Sequence, residues 1–210
     1  MENAWLVRPI PHGINRLTVF KENGVIAIGW PCIGDLTGKS REDLKLLLSK
    51  PPYALDGLAL GNAYATIDIF VNQMTIGDLI LMPNGDDIYF GEITSNYYLD
   101  STVDNDVEGY PHQRAIKWLS NTSRKDLSMD LRSSLKVHRT TANLSHHFDE
   151  IEAFSKGIKQ PNDITQKRDL LDVTYPLRPD FEVSFQLPKD ISREEAQRLS
   201  SYFASLYFTN

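Results

Sequence analysis

The middle of the chain has the apolar pattern of three β-strands in succession. The strands are predicted over residues 77–81, 89–93 and 110–118, where apolar residues alternate with polar ones or form short runs. A Gly-Asp pair opens the first strand, and the polar residues 85–87 form a turn into the second. Further strands are predicted nearer the two ends of the chain, at residues 5–7, 25–30 and 181–187.

Apolar residues at helical spacing predict helices between these strands. One helix is predicted over residues 61–74, and its buried face consists of Ala63, Ile67, Phe70 and Met74. Ser40 and Ser192 each precede an acidic residue by three positions, a pattern that caps the start of a helix. The remaining predicted helices lie at residues 14–22, 40–50, 123–135 (a helix or a helical hairpin) and from 192 onwards.

These elements divide the chain into a large domain, a linker and a small appendage. The domain is expected over residues 1–145, the linker over the polar residues 146–180, and a strand with an amphipathic helix over residues 181–210. The apolar stripe of that helix needs a surface to cover. The surface belongs to the same chain, to a partner protein or to a second copy in a homodimer. The stripe contains Ala196, Leu199, Phe203 and Leu206.

The composition excludes several classes of protein. No apolar run approaches about 18 residues, so we expect no membrane span. The N-terminus lacks the basic and apolar pattern of a secretory leader, and Cys32 is the single cysteine, which fits a cytoplasmic protein. The sequence contains no hydrolase, NTPase or metal-binding motif. We therefore expect no enzymatic activity, no metal ion and no cofactor.

Charge is distributed unevenly along the chain. The formal net charge of −6 argues against a protein that coats nucleic acid by charge alone. Residues 112–139 nevertheless contain seven Lys and Arg against two Asp and Glu. This basic segment is either one specific contact face or the solvated surface of a helix.

Short motifs along residues 3–140 occur in an order that resembles the N-terminal module of Mrr-type restriction system proteins. The matching segments are Trp5-Leu6-Val7-Arg8, residues 24–30, Gly34-Asp35-Leu36, Gly77-Asp78, residues 89–93, Tyr97-Tyr98, His112-Gln113-Arg114, Trp118, residues 124–128 and residues 132–135. Their order and spacing carry the resemblance, since no single segment is specific. In such proteins a nuclease domain follows the module. Residues 151–210 lack the acidic pair and the Glu-x-Lys of that domain, so the resemblance does not imply cleavage.

The resemblance implies an α+β fold: a PUA/EVE-like mixed barrel of five or six strands with flanking helices, related to EVE, YTH and PUA modules. It also implies a pocket for a flipped, chemically modified base, with Trp30 and Asn62 at its wall. Tyr97 and Tyr98 point to opposite faces of an extended chain, so at least one is exposed and is a candidate pocket residue. Trp5 is the fifth candidate. Both tryptophans can instead pack in the core, and Asn62 can cap a helix.

Six basic residues are candidates to bind phosphates next to this pocket. They are Arg8, His112, Arg114, Lys117, Arg124 and Lys125. His112 and Arg114 alternate along one predicted strand and therefore share a face. The alternative for this pair is packing under the rim of the barrel.

The sequence predicts a non-catalytic protein that recognises a modified base in nucleic acid, as a component of a restriction or defence-type system. DNA is favoured over RNA because the resembled module belongs to DNA-restriction proteins, and a nuclease or another protein partner would supply any cleavage. Extrusion of a base costs a few kcal/mol, which stacking on an aromatic ring recovers. Three alternatives remain: a scaffold or interaction protein whose barrel has lost ligand binding, an RNA-modification reader, and a cryptic nuclease.

Overall fold

A computed structural model describes residues 3–158 and 170–205 of the chain. The chain divides into two compact units, Met1–Asn162 and Asp163–Asn210, and each is described by itself. The first unit contains a curled, half-barrel sheet with helices on both of its faces. This arrangement confirms the predicted α+β class with flanking helices.

The sheet of the first unit has six strands in the order β2-β6-β4-β3-β1-β7, and a short β5 also pairs with β6. All neighbours are antiparallel except β1 and β3, which are parallel. The strands are β1 Ala4–Val7, β2 Val25–Ile28, β3 Leu79–Asn84, β4 Asp87–Ile93, β5 Tyr98–Leu99, β6 His112–Ser123 and β7 Thr141–Asn143.

Five α-helices flank the sheet: α1 Leu17–Asn23, α2 Arg41–Ser49, α3 Gly57–Asp68, α4 Met129–Ser134 and α5 Phe148–Ser155. The predicted capping box at α2 is confirmed, because Ser40 Oγ accepts a hydrogen bond from the Asp43 amide and the Asp43 carboxylate accepts one from the Ser40 amide. A π-helical turn, Ile69–Gln73, continues α3. The helix predicted at 123–135 is shorter than expected, because a 3-10 turn occupies Arg124–Asp126 and Ser128 caps the start of α4.

Strand alternation produces a hydrophobic core on each face of the sheet. In β1, Trp5 and Val7 face one core while Ala4 and Leu6 face the other. The first core includes Phe20, Ile67 and Phe70 from the helical side. All four residues of the apolar face predicted for the helix at 61–74 are buried there, two of them after the end of α3. The second core is completed by α4 and α5. The sheet is thus buried on both sides, which fixes the loops that connect its strands.

The structure differs from the predicted linker over residues 146–180. The helix Phe148–Ser155 lies in that range and packs on the sheet: Ile151 and Phe154 are buried, and the rings of Phe90 and Phe154 stack with 5.8 Å between their centroids. This helix was predicted as part of a linker because acidic residues occupy its solvent face and make the segment polar. The predicted linker also contains β8 Leu170–Arg178, whose Pro176 interrupts the strand pattern at an irregularity in the pairing.

The second unit is a hairpin followed by a helix. Strand β8 pairs antiparallel with β9 Phe181–Pro188, and α6 Arg193–Ser205 begins with the predicted capping box at Ser192. Phe203 contacts Phe185 at 5.8 Å between ring centroids, whereas Leu206 of the predicted stripe lies outside the described residues. A shallow groove of about 550 Å³ follows α6 alone and contains no predicted site residue; Glu194, Gln197, Arg198 and Ser201 line it.

In the part of the chain that the structure describes, no helix has the length and apolar character needed to cross a membrane.

Candidate functional site around Trp30

The loop that follows β2, residues 29–36, has an unusual backbone and is called here the Trp30 loop. Trp30 and Cys32 both have φ of 65°, in the left-handed region that bulky side chains avoid. Each such residue costs about 1–3 kcal/mol and persists only where surrounding contacts hold it. Such strain concentrates at functional sites, so the contacts that hold this loop define the candidate site.

His112, at the start of β6, forms a hydrogen bond with the backbone of Trp30. Its Nε2 lies 3.1 Å from the Trp30 carbonyl oxygen, which can only accept a hydrogen bond, so Nε2 carries the proton. Its Nδ1 then accepts from the Tyr97 hydroxyl at 2.9 Å, and that hydroxyl accepts from the Leu36 amide at 3.2 Å. Each side-chain polar atom in this series of hydrogen bonds has a partner when His112 is neutral. The two ends of the Trp30 loop are therefore fixed to one imidazole.

Burial maintains this protonation state. His112 has no exposed surface, and burial lowers its pKa. The hydrogen bond to the Trp30 carbonyl and the carboxylates of Asp104 and Asp35 oppose that shift only in part. Burial likewise raises the pKa of Tyr97 to about 12, so the hydroxyl keeps its proton. The arrangement is a structural support, since His112 is inaccessible and neither group is poised to exchange protons near neutral pH.

Two further hydrogen bonds fix the tip of the Trp30 loop. The Tyr53 hydroxyl, whose pKa is raised by burial, donates to the Pro31 carbonyl at 2.9 Å. The Cys32 amide donates to Asp104 Oδ1 at 2.6 Å. Asp104 belongs to the segment 100–109, called here the acidic loop. The Trp30 loop is thus attached to three separate parts of the fold, which keeps its geometry before any ligand arrives.

The indole of Trp30 differs from the other two indoles in its hydrogen bonding. Trp5 is 3% exposed and its N–H donates to Asp78 at 2.8 Å, so this candidate pocket residue is a core side chain instead. The Trp118 N–H donates to the Phe20 carbonyl at 3.2 Å. Trp30 is half-buried, and its N–H has no acceptor among residues 3–158 and 170–205. A half-buried ring that packs against the core and keeps a donor without an acceptor in the described residues is suited to stacking a planar ligand.

The other pocket candidates are placed less favourably. Tyr97 and Tyr98 point to opposite faces as predicted, because Tyr97 contacts His112 while the Tyr98 hydroxyl donates to Gln113 Oε1 at 3.2 Å. Tyr98 is 37% exposed, but it lies on the face away from the His112 support. Asn62 is exposed in the interior of α3, so it does not cap that helix. Within the described residues, no hydrogen bond or ring contact connects Asn62 with Trp30.

The surroundings of Trp30 are acidic. The acidic loop contributes Asp104 and Asp106, and Asp35 lies within the Trp30 loop itself. None of the three forms an ion pair with a basic side chain in the described ranges. Hydrogen bonds from the Thr37 amide and hydroxyl lower the pKa of Asp35, which keeps it ionised. This charge is opposite to the cationic rim that the sequence predicted next to the pocket.

Two of the six predicted phosphate ligands are buried and cannot reach a phosphate. His112 is committed to the Trp30 loop, and Arg114 is 2% exposed. The Arg114 guanidinium donates to the carbonyls of Phe70 at 2.7 Å, Val71 at 2.9 Å and Ser95 at 3.2 Å. Burial lowers the pKa of Arg114 to about 10, although Asp78 opposes that shift. Arg114 therefore closes the end of the π-helical turn instead of binding phosphate.

The remaining four basic candidates keep accessible nitrogen atoms. Lys117 and Lys125 are exposed, and Arg8 and Arg124 are half-buried at one end of the sheet. The sequence contained no indication that Tyr53 and Asp104 belong to the site, because their partners are backbone atoms of a distant loop. Among the described residues, no three His, Cys, Asp or Glu side chains converge as metal ligands.

Fold and site together define an α+β domain with a half-barrel sheet and an aromatic group presented beside its edge strand β2. The chain belongs to the family described as a domain of unknown function, DUF8426, which matches residues 15–145. No curated protein matches the chain. Among solved structures it is similar to protein Atu2648 from Agrobacterium tumefaciens, with 14% identity over 76% of this chain and 97% of that chain and a TM-score of 0.33. This likeness is too distant to carry an inference.

Proposed function

We propose that the first unit is a non-catalytic nucleic-acid-binding module that stacks one extruded, chemically modified base on Trp30. The observation that carries this proposal is the Trp30 indole, which is half-buried and whose N–H has no acceptor in the described part of the chain. It belongs to a strained loop held by four hydrogen bonds. Stacking of a base on an aromatic ring contributes about 1–3 kcal/mol. The resemblance to Mrr-type N-terminal modules and to PUA/EVE-like barrels supports a base ligand and favours DNA.

The acidic surroundings favour particular bases. Asp104 uses one carboxylate oxygen for the amide of Cys32, which lies two residues after Trp30, and the other oxygen remains an acceptor. Carboxylates accept hydrogen bonds from the exocyclic amino group of cytosine, and an adenine amino group offers the same donor. Thymine and uracil present carbonyl oxygens at that position, which a carboxylate repels. The module is therefore expected to prefer a modified cytosine or adenine.

Fluorescence anisotropy titrations test the proposal directly. The probes are matched DNA oligonucleotides with one central cytosine, 5-methylcytosine, 5-hydroxymethylcytosine, adenine or N6-methyladenine, plus RNA copies of the same sequences. We expect one modified DNA to bind more tightly than its plain counterpart. Trp30→Ala should weaken that binding roughly 5- to 150-fold, in line with the stacking energy.

Trp118→Phe is the matched control, since Trp118 is also half-buried but donates its N–H within the core. Equal affinity across the panel, or an unchanged affinity in Trp30→Ala, would remove the basis for the proposal. Tighter binding of the RNA copies would instead support an RNA-modification reader.

Self-association is a second candidate function, and the second unit favours it. No residue from 171 to 205 is buried, and six large apolar side chains in this range are exposed: Leu171, Tyr175, Leu177, Phe181, Tyr202 and Phe203. A hairpin with one helix does not form a stable core alone, and a second copy can add β9 to β9 about a two-fold axis. Light scattering of the full chain should then give twice the mass of 23.9 kDa, and Phe203→Glu should give the monomer.

A further inference from the structure

Arg8 and Arg124 lie at the same end of the half-barrel sheet. Arg8 follows β1, which runs parallel to β3, and β3 ends at the turn that leads into β4. The last residue of β6, Ser123, pairs with Asp87 directly after that turn, so Arg124 lies beside the turn. These two residues are called here the arginine pair.

Backbone carbonyls fix the orientation of both guanidinium groups. Arg8 Nε donates to the Arg139 carbonyl at 3.0 Å, and Arg8 Nη2 donates to the carbonyls of Leu135 and Val137, both at 2.8 Å. Arg124 Nε donates to the Gly85 carbonyl at 3.1 Å. The side chains are therefore held in place before a ligand binds, which reduces the entropy lost on binding.

The pair retains donors that have no acceptor among the described residues. Five N–H donors belong to each guanidinium, and the bonds above leave both N–H groups of Arg8 Nη1 and all four of Arg124 Nη1 and Nη2. Neither residue forms an ion pair in the described ranges, although Asp86 and Asp87 lie in the adjacent turn. Planar forks with free donors are the groups that hold phosphate oxygens in two-pronged contacts.

The electrostatics of the pair support an anionic ligand. Burial and the charge of Arg124 both lower the pKa of Arg8. An anion between the two guanidinium groups would relieve that repulsion. Lys136 and Arg139 are exposed on the segment that surrounds Arg8, so the neighbouring surface adds positive charge.

The segment that follows Arg8 runs from the arginine pair to a contact with the Trp30 loop at His12. A Cβ atom added to Gly29 would lie 3.1 Å from the His12 amide nitrogen, so the backbone at His12 lies against the start of the Trp30 loop. The Cα atoms of Arg8 and His12 are four residue steps apart and therefore at most about 15 Å from each other. A nucleic-acid strand of several nucleotides can therefore reach from a base stacked on Trp30 to the arginine pair.

We infer that Arg8 and Arg124 form an anion site that binds phosphates of the nucleic-acid backbone, separate from the base site at Trp30. The identity of the anion as a nucleic-acid phosphate rests on the proposed function, whereas the anion site itself does not. Base and backbone are thus bound by different ends of the fold. The cationic rim expected next to the base lies with the arginine pair instead.

Inorganic polyphosphate tests the anion site without a base. The measurement is the thermal unfolding midpoint of the full chain with and without polyphosphate at low salt. We expect polyphosphate to raise the midpoint of the wild type and to raise that of Arg124→Gln much less. Arg41→Gln is the matched control, because it removes an equal charge from an exposed position on α2. Equal stabilisation of both variants, or no stabilisation of the wild type, would overturn the inference.

The salt dependence of oligonucleotide binding then identifies the anion. Each lost phosphate contact lowers the slope of log K against log salt by about 0.7 for a single strand. We expect Arg124→Gln to lower that slope and to weaken all oligonucleotides alike, while Trp30→Ala leaves the slope unchanged and reduces the preference for the modified base. A slope that Arg41→Gln lowers as much contradicts the inference. Polyphosphate stabilisation without oligonucleotide binding contradicts the proposed function but leaves the anion site standing.

Discussion

The Trp30 loop and the arginine pair differ in charge and in the way that they are held. The Trp30 loop presents an uncharged ring among carboxylates, and hydrogen bonds from three separate segments keep its backbone strained. The arginine pair presents positive charge and is oriented by carbonyl oxygens. A nucleic acid offers both a planar, donor-bearing base and an anionic backbone. The difference shows how one small fold can contact each chemical part with a separate region.

The largest predicted effect separates a buried arginine, Arg114, from an accessible arginine of the pair, Arg124, although the sequence does not distinguish them. Arg114→Met removes three hydrogen bonds to backbone carbonyls, two of them buried, and we expect the free energy of unfolding to fall by about 3 kcal/mol. Arg124→Gln removes an accessible charge and should change stability by less than about 0.5 kcal/mol. Urea unfolding of both variants checks this. If the two variants lose equal stability, Arg114 is not the internal support described above.

His112 is the residue on which the Trp30 loop depends most. His112→Leu leaves the Trp30 carbonyl and the Tyr97 hydroxyl without their buried partner, so we expect a loss of about 2–3 kcal/mol. Hydrogen exchange should then accelerate at residues 29–36 and remain unchanged at the arginine pair. Equal acceleration at both regions would show that they are not held independently.

Tyr97→Phe removes only the hydroxyl that connects His112 with the Leu36 amide. The expected loss is about 1 kcal/mol, smaller than for His112→Leu because the bond to the Trp30 carbonyl remains. Thermal or urea unfolding measures it. A loss as large as that of His112→Leu would mean that the hydroxyl, and not the imidazole, is the principal support.

Acid should weaken the Trp30 loop. Because burial lowers the pKa of His112 below its ordinary value of 6.5, the unfolded chain binds more protons between the two pKa values. The contribution of His112 is therefore complete above about pH 6.5 and decreases as pH falls towards its folded pKa. Urea unfolding at pH 7.5 and 5.5 should show a smaller decrease in His112→Leu than in the wild type.

His147 provides the control, because burial lowers its pKa too. His147→Gln should retain the part of the pH dependence that His112 causes. If His112→Leu keeps the full decrease, the neutral imidazole assigned to His112 is wrong.

Much of the framework could be read from the sequence because it follows from periodicity and capping. The strands at 5–7, 25–30 and 181–187, the face of α3 and the two capping boxes all have local patterns. Helix α5 was missed because its buried positions, Ile151 and Phe154, lie in a segment rich in charge. The packing of these two residues depends on the assembled sheet, so the local composition did not indicate it.

The site was harder to predict, because burial and partners depend on the whole fold. Trp5 and Trp30 both follow or lie in strands, yet one donates to the buried Asp78 and the other has no acceptor within the described residues. Arg8 and Arg114 both donate to three carbonyls, and only Arg8 retains surface. A sequence gives residue type and spacing, but it does not show which side-chain N–H groups are already bonded to backbone carbonyls in the folded protein.

The most direct test of the account is the NMR spectrum of the three tryptophan indole N–H groups, with Trp30→Phe used to assign the Trp30 signal. In the free protein, the Trp30 N–H should exchange with water fastest, since Trp5 and Trp118 donate to protein acceptors. On addition of the preferred modified oligonucleotide, the Trp30 signal should move while the Trp5 signal stays in place. A Trp30 signal that is protected in the free protein, or that does not respond at saturating oligonucleotide, would contradict the account.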